Sequence, residues 1–324
     1  MENELTIAIC AYNCENYIKE TLSCLINQTY KKFNLLIIND CSTDNSVEVI
    51  RNFLSEKNFN YELVNFKINR GLAAGRAYIE QKVNTKYILF IDADDCPYPT
   101  LVEKLYNKIS EDKDIIAVGC YHEFIDSKGA EISGGIYIGA KTKEEFYKKA
   151  GKEKLIFMQP TAIIDREALL SVGGRSIEGY PEGKPRYQDL CEDLDLWTRM
   201  SDLYEEGKAI LVVPQVLCKY RKHEMALSAN SFGMLLRMRH IKTNLRRRRS
   251  GQTELTFIEF YKNIEEKEIK VLQKKALSAD LVRNSFYALK KREYFRFLKS
   301  LFHVSVSDPI YLLDKIKNNS GFIK

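Results

Sequence analysis

Apolar and polar residues alternate along this chain in a repeating pattern. Residues 5–11 (LTIAICA) form a continuous apolar run, short for a helix but right for a buried strand. The polar stretch NCEN follows and introduces a helix over 17–27. Residues 35–38 (LLII) start the pattern again and end in NDCSTDNS, which leads into a helix over 46–57. A third strand is expected at 61–65, a helix over 70–82 after a glycine entry, a fourth strand at 87–91 and a helix over 100–110. This alternation predicts an α/β fold, a mainly parallel sheet covered by helices on both faces. Ligands of such sheets sit at the carboxyl ends of the strands. The polar clusters fall there: Ala11, Tyr12 and Asn13; Asn39 and Asp40; Asp92 to Asp95.

The second half is less regular. Residues 115–121 (IIAVGCY) predict another strand, and Gly134, Gly135 and Gly139 mark hairpin-like structure. Residues 163–174 read as a strand and a short helix ending in two glycines. Residues 175–189, polar and rich in Gly, Pro and Tyr, are expected to form a long mobile loop. CEDLDLWTRM then opens a helix, 211–220 is a further strand, and helices with basic faces follow from about 232. Three regions result: 1–110, 111–230 and a helical extension over 231–324.

Composition narrows the classes. With 45% hydrophobic and 29% charged residues among 324, a substantial core is available. The net charge of +6 is mild, and a general nucleic-acid binder is usually more basic. The eight cysteines form no CxxC pair and mostly sit beside apolar residues, which suits small buried hydrophobes in a reducing cytosol. The N-terminus lacks a signal-peptide pattern, and no window approaches the ~20 apolar residues of a spanning helix. The expectation is a soluble cytoplasmic protein, or one attached to the inner face of the cytoplasmic membrane.

The most specific chemistry lies in YILFIDADDCPYP (87–99), where an apolar run ends in Asp92, Asp94 and Asp95. Asp92 and Asp94 are two apart and share a side of an extended chain. Such a cluster is either a solvated turn or an oxygen site for Mg²⁺ or Mn²⁺. It is not an EF-hand, because Pro97 stands where that loop needs glycine and a strand precedes it. Asp40, just past a strand end, is placed to accept hydrogen bonds from a base or ribose, while its neighbours Ser42, Thr43 and Asp44 suit a turn and a helix cap. NRGLAAGRA (69–77) joins glycines that allow close approach with Arg70 and Arg76, which can bind phosphate or pair with the acidic turn.

Taken in order, these pieces resemble the inverting glycosyltransferase family 2, with its GT-A fold. The resemblance runs from about residue 5 to 230. It rests on IAICAYNCENYIKETLSCLINQTY, NDCSTDNS, NRGLAAGRA, DADDCPYP, CEDLDLWTRM and YRKHEMALS. Cys10, Cys41, Gly75 and Tyr78 depart from the usual pattern, where proline, glycine, alanine and asparagine are common. The resemblance implies a Rossmann-like mixed sheet and a nucleotide-diphosphate sugar donor, UDP-linked by default. Ala11, Tyr12, Asn13, Asp40, Asn69, Gly71, Arg76, Asp92, Ala93, Asp94 and Arg221 would line the donor site. Asp94, Asp95 and His223 would hold Mg²⁺ or Mn²⁺. Asp193 would be the general base on the acceptor hydroxyl, with Glu192 the runner-up. The acceptor would be a glycan or lipid-linked sugar in bacterial surface polysaccharide synthesis. Tyr180 and Tyr187 would be able to stack on sugars or simply pack their loop.

Residues 234–249 (MLLRMRHIKTNLRRRR) interleave basic and apolar positions, suiting either an anionic membrane surface or a solvated helix packed on the catalytic domain. Two other functions compete. A nucleotidyltransferase making nucleotide sugars would want a basic, Gly-rich loop after the first strand, which AYNCENY lacks. A non-catalytic nucleotide- or glycan-binding module would not need both the acidic turn and the Glu192/Asp193 pair.

Overall fold

The first apolar run forms β1 (Leu5–Ala11), and the expected alternation follows it: α1 (Ile18–Ile26), β2 (Asn34–Asn39), α2 (Ser46–Glu56), β3 (Glu62–Asn65), α3 (Leu72–Lys82), β4 (Tyr87–Asp92), the short β5 (Cys96–Pro97) and α4 (Leu101–Ser110). Next come β6 (Ile115–Ile125), β7 (Glu131–Ile136), α5 (Lys143–Ala150), β8 (Ala162–Asp165), α6 (Arg166–Ser171), α7 (Glu192–Met200) and β9 (Ala209–Arg221). The chain continues into α8 (Ser231–Arg249), α9 (Phe257–Asn263), α10 (Glu266–Lys290) and α11 (Tyr294–Ser307). This computed structural model describes residues 3–222, 230–290, 293–309 and 311–313.

One sheet runs in the order β3-β2-β1-β4-β8-β6-β9-β5, with β7 attached to β6. β1, β2, β3 and β4 pair in parallel. β8 is antiparallel to both β4 and β6, and β5 is antiparallel to β9. The sheet is therefore mixed, not mainly parallel as the simple alternation predicts. The β6–β7 hairpin reverses the chain, so β8 enters from the opposite end. β1 is covered on both faces: Leu5, Ile7, Ile9 and Ala11 on one side are 0% exposed, and Thr6 and Ala8 on the other are 3% and 1% exposed, which is why its sequence shows no polar alternation.

The strand order reverses at β1, with β2 on one side and β4 on the other. Crevices at such switch points, beyond the carboxyl ends, are where α/β sheets bind ligands. Register brings the chemistry there, because Cys10 lies opposite Asp92 and Ala11 opposite Asn39.

Helix α3 packs closely on β1. A Cβ built on Gly75 would lie 2.9 Å from Cys10 Sγ, so two departures from the family pattern touch each other. Gly75→Ala is expected to lower stability, because overpacking costs about 1–3 kcal/mol and the helix-propensity gain is only about 1 kcal/mol. Adding Cys10→Ala should restore it. Denaturant midpoints of the two single variants and the double variant measure this coupling.

The loop expected to be mobile is anchored. Arg175 is buried, and Gly179 O accepts from Ile258 N at 3.1 Å. Tyr180 and Tyr187 stack on Phe257, with centroids 5.6 and 4.5 Å apart. Their partner comes from α9, about seventy residues on, so no local pattern announces the packing.

The basic helix also differs from a membrane-facing one. Leu236, Ile241 and Leu245 of α8 are buried. Arg246 pairs with Glu153 (2.9 Å), Arg248 with Asp202 (2.8 Å) and Glu254 (3.0 Å), and Arg249 with Asp202 (2.9 Å). Arg247 donates to Thr253 O at 2.6 Å. The charge run is spent on the protein itself. Among the described residues, no helix is long and apolar enough to cross a membrane. All eight cysteines are free thiols.

Candidate active site

β4 delivers Asp92 to the switch point and the chain then turns sharply. Asp95 N donates to Asp92 O (3.2 Å), Thr21 Oγ1 to Ala93 O (3.0 Å) and Arg221 Nε to Asp94 O (2.8 Å). The turn is thus fixed by its own backbone, by α1 and by the end of β9.

Arg221, expected on the donor, is committed to this turn. It is 2% exposed, and its guanidinium also donates to Asp126 O (3.1 Å), Glu20 Oε2 (2.6 Å) and Cys96 Sγ (3.4 Å). A cation so fully engaged braces the turn and has little left for a ligand.

The three carboxylates differ. Asp95 is 1% exposed; its Oδ1 accepts from Arg221 N at 3.0 Å, while its Oδ2 has no hydrogen-bond partner among the described residues. Burial first, then the charges of Asp94 and Asp92, push its carboxyl well above the usual range. A buried carboxyl in that position is held neutral or offset by a cation. Asp92 and Asp94 stay partly exposed. Burial raises the Asp92 carboxyl, against the pull of Arg76.

His223, expected as a third metal ligand, lies outside the described residues. Among those described, no group of three or more His, Cys, Asp or Glu side chains is arranged to hold a metal. The donors present do not make a protein cage. They do fit a hard divalent ion that shares its shell with a diphosphate and water: Asp94 is reachable, and the buried Oδ2 of Asp95 has no hydrogen-bond partner among the described residues.

In the nucleotide corner, Ala11 is buried and Tyr12 is 49% exposed at the end of β1. Asn13 adopts φ 48° and braces the next turn, accepting from Thr43 N at 2.8 Å. Asp40 is 4% exposed and holds a turn. Its Oδ1 accepts from Arg70 N (2.6 Å), and its Oδ2 accepts from Gly71 N (2.8 Å) and Asn69 Nδ2 (2.9 Å). Asn69 is further fixed by Arg186, whose Nη2 donates to its carbonyl at 2.8 Å.

Asp189, which sequence reasoning passed over, positions the helix that carries Arg76. Its Oδ1 accepts from Ala73 N at 2.9 Å, in the first turn of α3, so the loop caps the helix that carries Arg76. Gly71 must be glycine here, since it sits at φ 94° and a Cβ would lie 2.5 Å from Asp189 Oδ2. Burial raises the Asp189 carboxyl to about 6, although the Ala73 N–H and Arg186 oppose this.

Arg76, expected on the donor, is 3% exposed and bridges Asp92 and Glu192. Glu192 also pairs with Arg175, which in turn pairs with Glu80. Phe90 supports both cations, with the guanidinium carbons of Arg76 and Arg175 5.6 and 4.3 Å from its ring centroid. The chain Asp92–Arg76–Glu192–Arg175–Glu80 thus joins the acidic turn to the start of α7. Burial works to raise the Glu192 carboxyl, but Arg175 and Arg76 outweigh it and hold it below its ordinary value. Glu192 is an ion-pair anchor and has no free oxygen with which to act as a base.

Asp193 is its opposite. Cys191, just before α7, adopts φ 57°, a left-handed conformation uncommon for a non-glycine residue and concentrated at functional sites. Consecutive helical residues point about 100° apart, so Glu192 enters the network while Asp193 turns away from it. Asp193 is partly exposed, and no side chain among the described residues bonds or pairs with it. Burial and then the Glu192 charge raise its carboxyl to about 6, opposed by the Leu194 N–H and by Arg76. Leu194, Trp197 and Met200 of the same helix are core residues. A hollow of about 460 Å³ lies nearby, lined by Tyr180, Asp195, Arg199, His240 and Asn244 among others. It includes neither Asp193 nor the acidic turn, so its size does not make it the site.

Residues 6–173 match the model of glycosyl transferase family 2. The chain is 36% identical over 129 residues to glycosyltransferase GlyA of Streptococcus pneumoniae, a span of 40% of this chain and 18% of GlyA. It is 32% identical over 228 residues to an uncharacterized glycosyltransferase of Haemophilus influenzae, covering 70% of this chain and 83% of that protein. Among solved structures it resembles S. aureus TarS in complex with UDP-GlcNAc, with TM-score 0.53, 15% identity and coverage of 91% and 90% of the two chains. It also resembles the mannosyltransferase PcManGT of Pyrobaculum calidifontis with GDP-Man and Mn²⁺, with TM-score 0.54, 17% identity and coverage of 95% and 87%. The mixed sheet flanked by helices is the GT-A fold of these enzymes. The chain belongs to glycosyl transferase family 2, a family of glycosyltransferase enzymes.

Proposed function

We propose that this chain transfers a sugar from a nucleotide-diphosphate sugar to a hydroxyl of a glycan or lipid-linked acceptor, with inversion, in bacterial surface polysaccharide synthesis on the cytoplasmic side. The observation that carries the reading is Asp193: a reachable carboxylate with no side-chain partner among the described residues, next in sequence to Glu192, which Arg76 ties to the acidic turn at the switch point. Asp193 takes the proton as the acceptor oxygen attacks the anomeric carbon, and the bond from that carbon to the diphosphate breaks in the same displacement. The attack comes from the face opposite the leaving group, so the anomeric configuration inverts. Tyr12 offers an exposed ring beside the base, and the turn at Asp92 to Asp94 faces the ribose and diphosphate. A bound Mg²⁺ or Mn²⁺, held by Asp94, would supply Lewis-acid stabilisation of charge on the leaving diphosphate. UDP is the expected nucleotide, and the UDP-GlcNAc complex of TarS is consistent with it.

A thermal-shift screen of UDP- and GDP-sugars, each with and without Mn²⁺, tests the donor class. A nucleotide-dependent rise in Tm that needs the metal supports the reading; no shift with any nucleotide sugar removes it. With a donor in hand, the anomeric configuration of the product tests inversion.

A further inference from the structure

The exposed apolar surface of the described residues is concentrated on α11. Phe295, Leu298, Phe302 and Val306 are 83%, 62%, 71% and 68% exposed. Their spacing of three, four and four residues places them on one stripe of a helix that turns about 100° per residue. The opposite face carries the fully buried Val304 and packs on α10. Single exposed apolar residues are ordinary, but a contiguous aromatic-rich stripe marks an interaction surface.

The charges beside the stripe identify its occupant. Arg296, Lys299 and His303 project along one edge of it, and α11 contains no Asp or Glu. Among the described residues Arg296 makes a solvent-exposed pair with Glu293 at 3.2 Å. Lys290, Lys291 and Arg292 lie just before α11 in the sequence, separated from it by Glu293. We infer that α11 lies flat on an anionic lipid surface, its aromatic stripe at the acyl boundary and Arg296 and Lys299 at the headgroup phosphates. A second copy of the chain would set these same cations against each other, whereas an anionic surface complements them. Residues 246–249 are the weaker candidate, because Arg248 and Arg249 are drawn into pairs with Asp202 and the apolar residues Leu236, Ile241 and Leu245 of that helix are buried. The inference does not depend on the donor chemistry, although it would bring the active site to a lipid-linked acceptor.

Co-sedimentation of the full chain with phosphatidylcholine vesicles, with and without phosphatidylglycerol, tests it, alongside light scattering for oligomeric state. The wild type should bind the anionic vesicles, less so as salt rises, and leave neutral ones largely free. Phe295→Ser with Phe302→Ser should weaken that binding at least about tenfold at unchanged Tm. Arg296→Glu with Lys299→Glu should weaken binding to anionic vesicles while leaving the weak neutral binding as it was. Absence of wild-type binding, or equal binding by either double variant, overturns the inference. So does a wild-type dimer that the phenylalanine variant dissolves without any vesicle binding, which would give the stripe to a second copy.

Discussion

Asp193→Asn should leave nucleotide binding intact and cut sugar transfer by about 10²–10⁴-fold, the usual contribution of a positioned general base. The amide fills the same space but cannot take the acceptor proton. The measurement is kcat for transfer, or for slow donor hydrolysis where no acceptor is at hand, together with the nucleotide Kd. The raised carboxyl adds a pH signature. Asp193 titrates near 6 in place of 3.8, so wild-type activity should fall as pH drops through about 6. The stability effect has the opposite sense. A carboxyl raised by folding contributes stability fully below about pH 4 and loses it as pH rises through about 6. Above that range the ionised Asp193 burdens the fold, so Asp193→Asn should have the higher Tm near neutrality and lose that advantage in acid. A fully active Asn variant would remove Asp193 from the reaction.

The second large effect concerns stability. Arg76→Met strands the carboxylates of Asp92 and Glu192, which it now bridges. Removing one partner from a buried ion pair typically costs about 3–5 kcal/mol, because the other charge remains without compensation. Glu192→Gln should also destabilise, since it withdraws the anion shared by Arg76 and Arg175. Denaturant unfolding gives the size of each loss. If Glu192 were itself the base, Glu192→Gln would abolish transfer with little change in stability. The network predicts a clear stability loss instead, with any activity change following from displacement of Asp193.

Much of this was legible because burial leaves a simple imprint. β1, β2 and β4 show as unbroken apolar runs since both faces of the sheet are covered. The carboxylates stood out because they interrupt such runs at strand ends. The roles of the cations were legible only in part: Arg76 does pair with the acidic turn, through Asp92, but nothing in the sequence points to its second partner, Glu192. The partners of Arg76 lie 16 and 116 residues away in the chain, and Arg175 bonds Glu80, 95 residues before it. Arg221 carried the right charge for phosphate and the right sequence neighbourhood, but β9 turns it inward onto the acidic turn. Asp189 gave no signal, because the helix it caps lies more than a hundred residues earlier. Long-range polar pairing has no periodicity, whereas burial does. The Cys10 and Gly75 departures make the same point from the core: Gly75 is odd alone, and its contact with Cys10 Sγ leaves no room there for a Cβ.

Metal-assisted seating of a nucleotide diphosphate at the acidic turn is the central proposal. Calorimetric titration of UDP into wild type and Asp94→Asn, with and without Mn²⁺, tests that claim most directly. In the wild type the metal should tighten binding by at least about tenfold, and in Asp94→Asn that gain should vanish. Equal affinity with and without Mn²⁺ in the wild type, or an undiminished metal effect in Asp94→Asn, would contradict it.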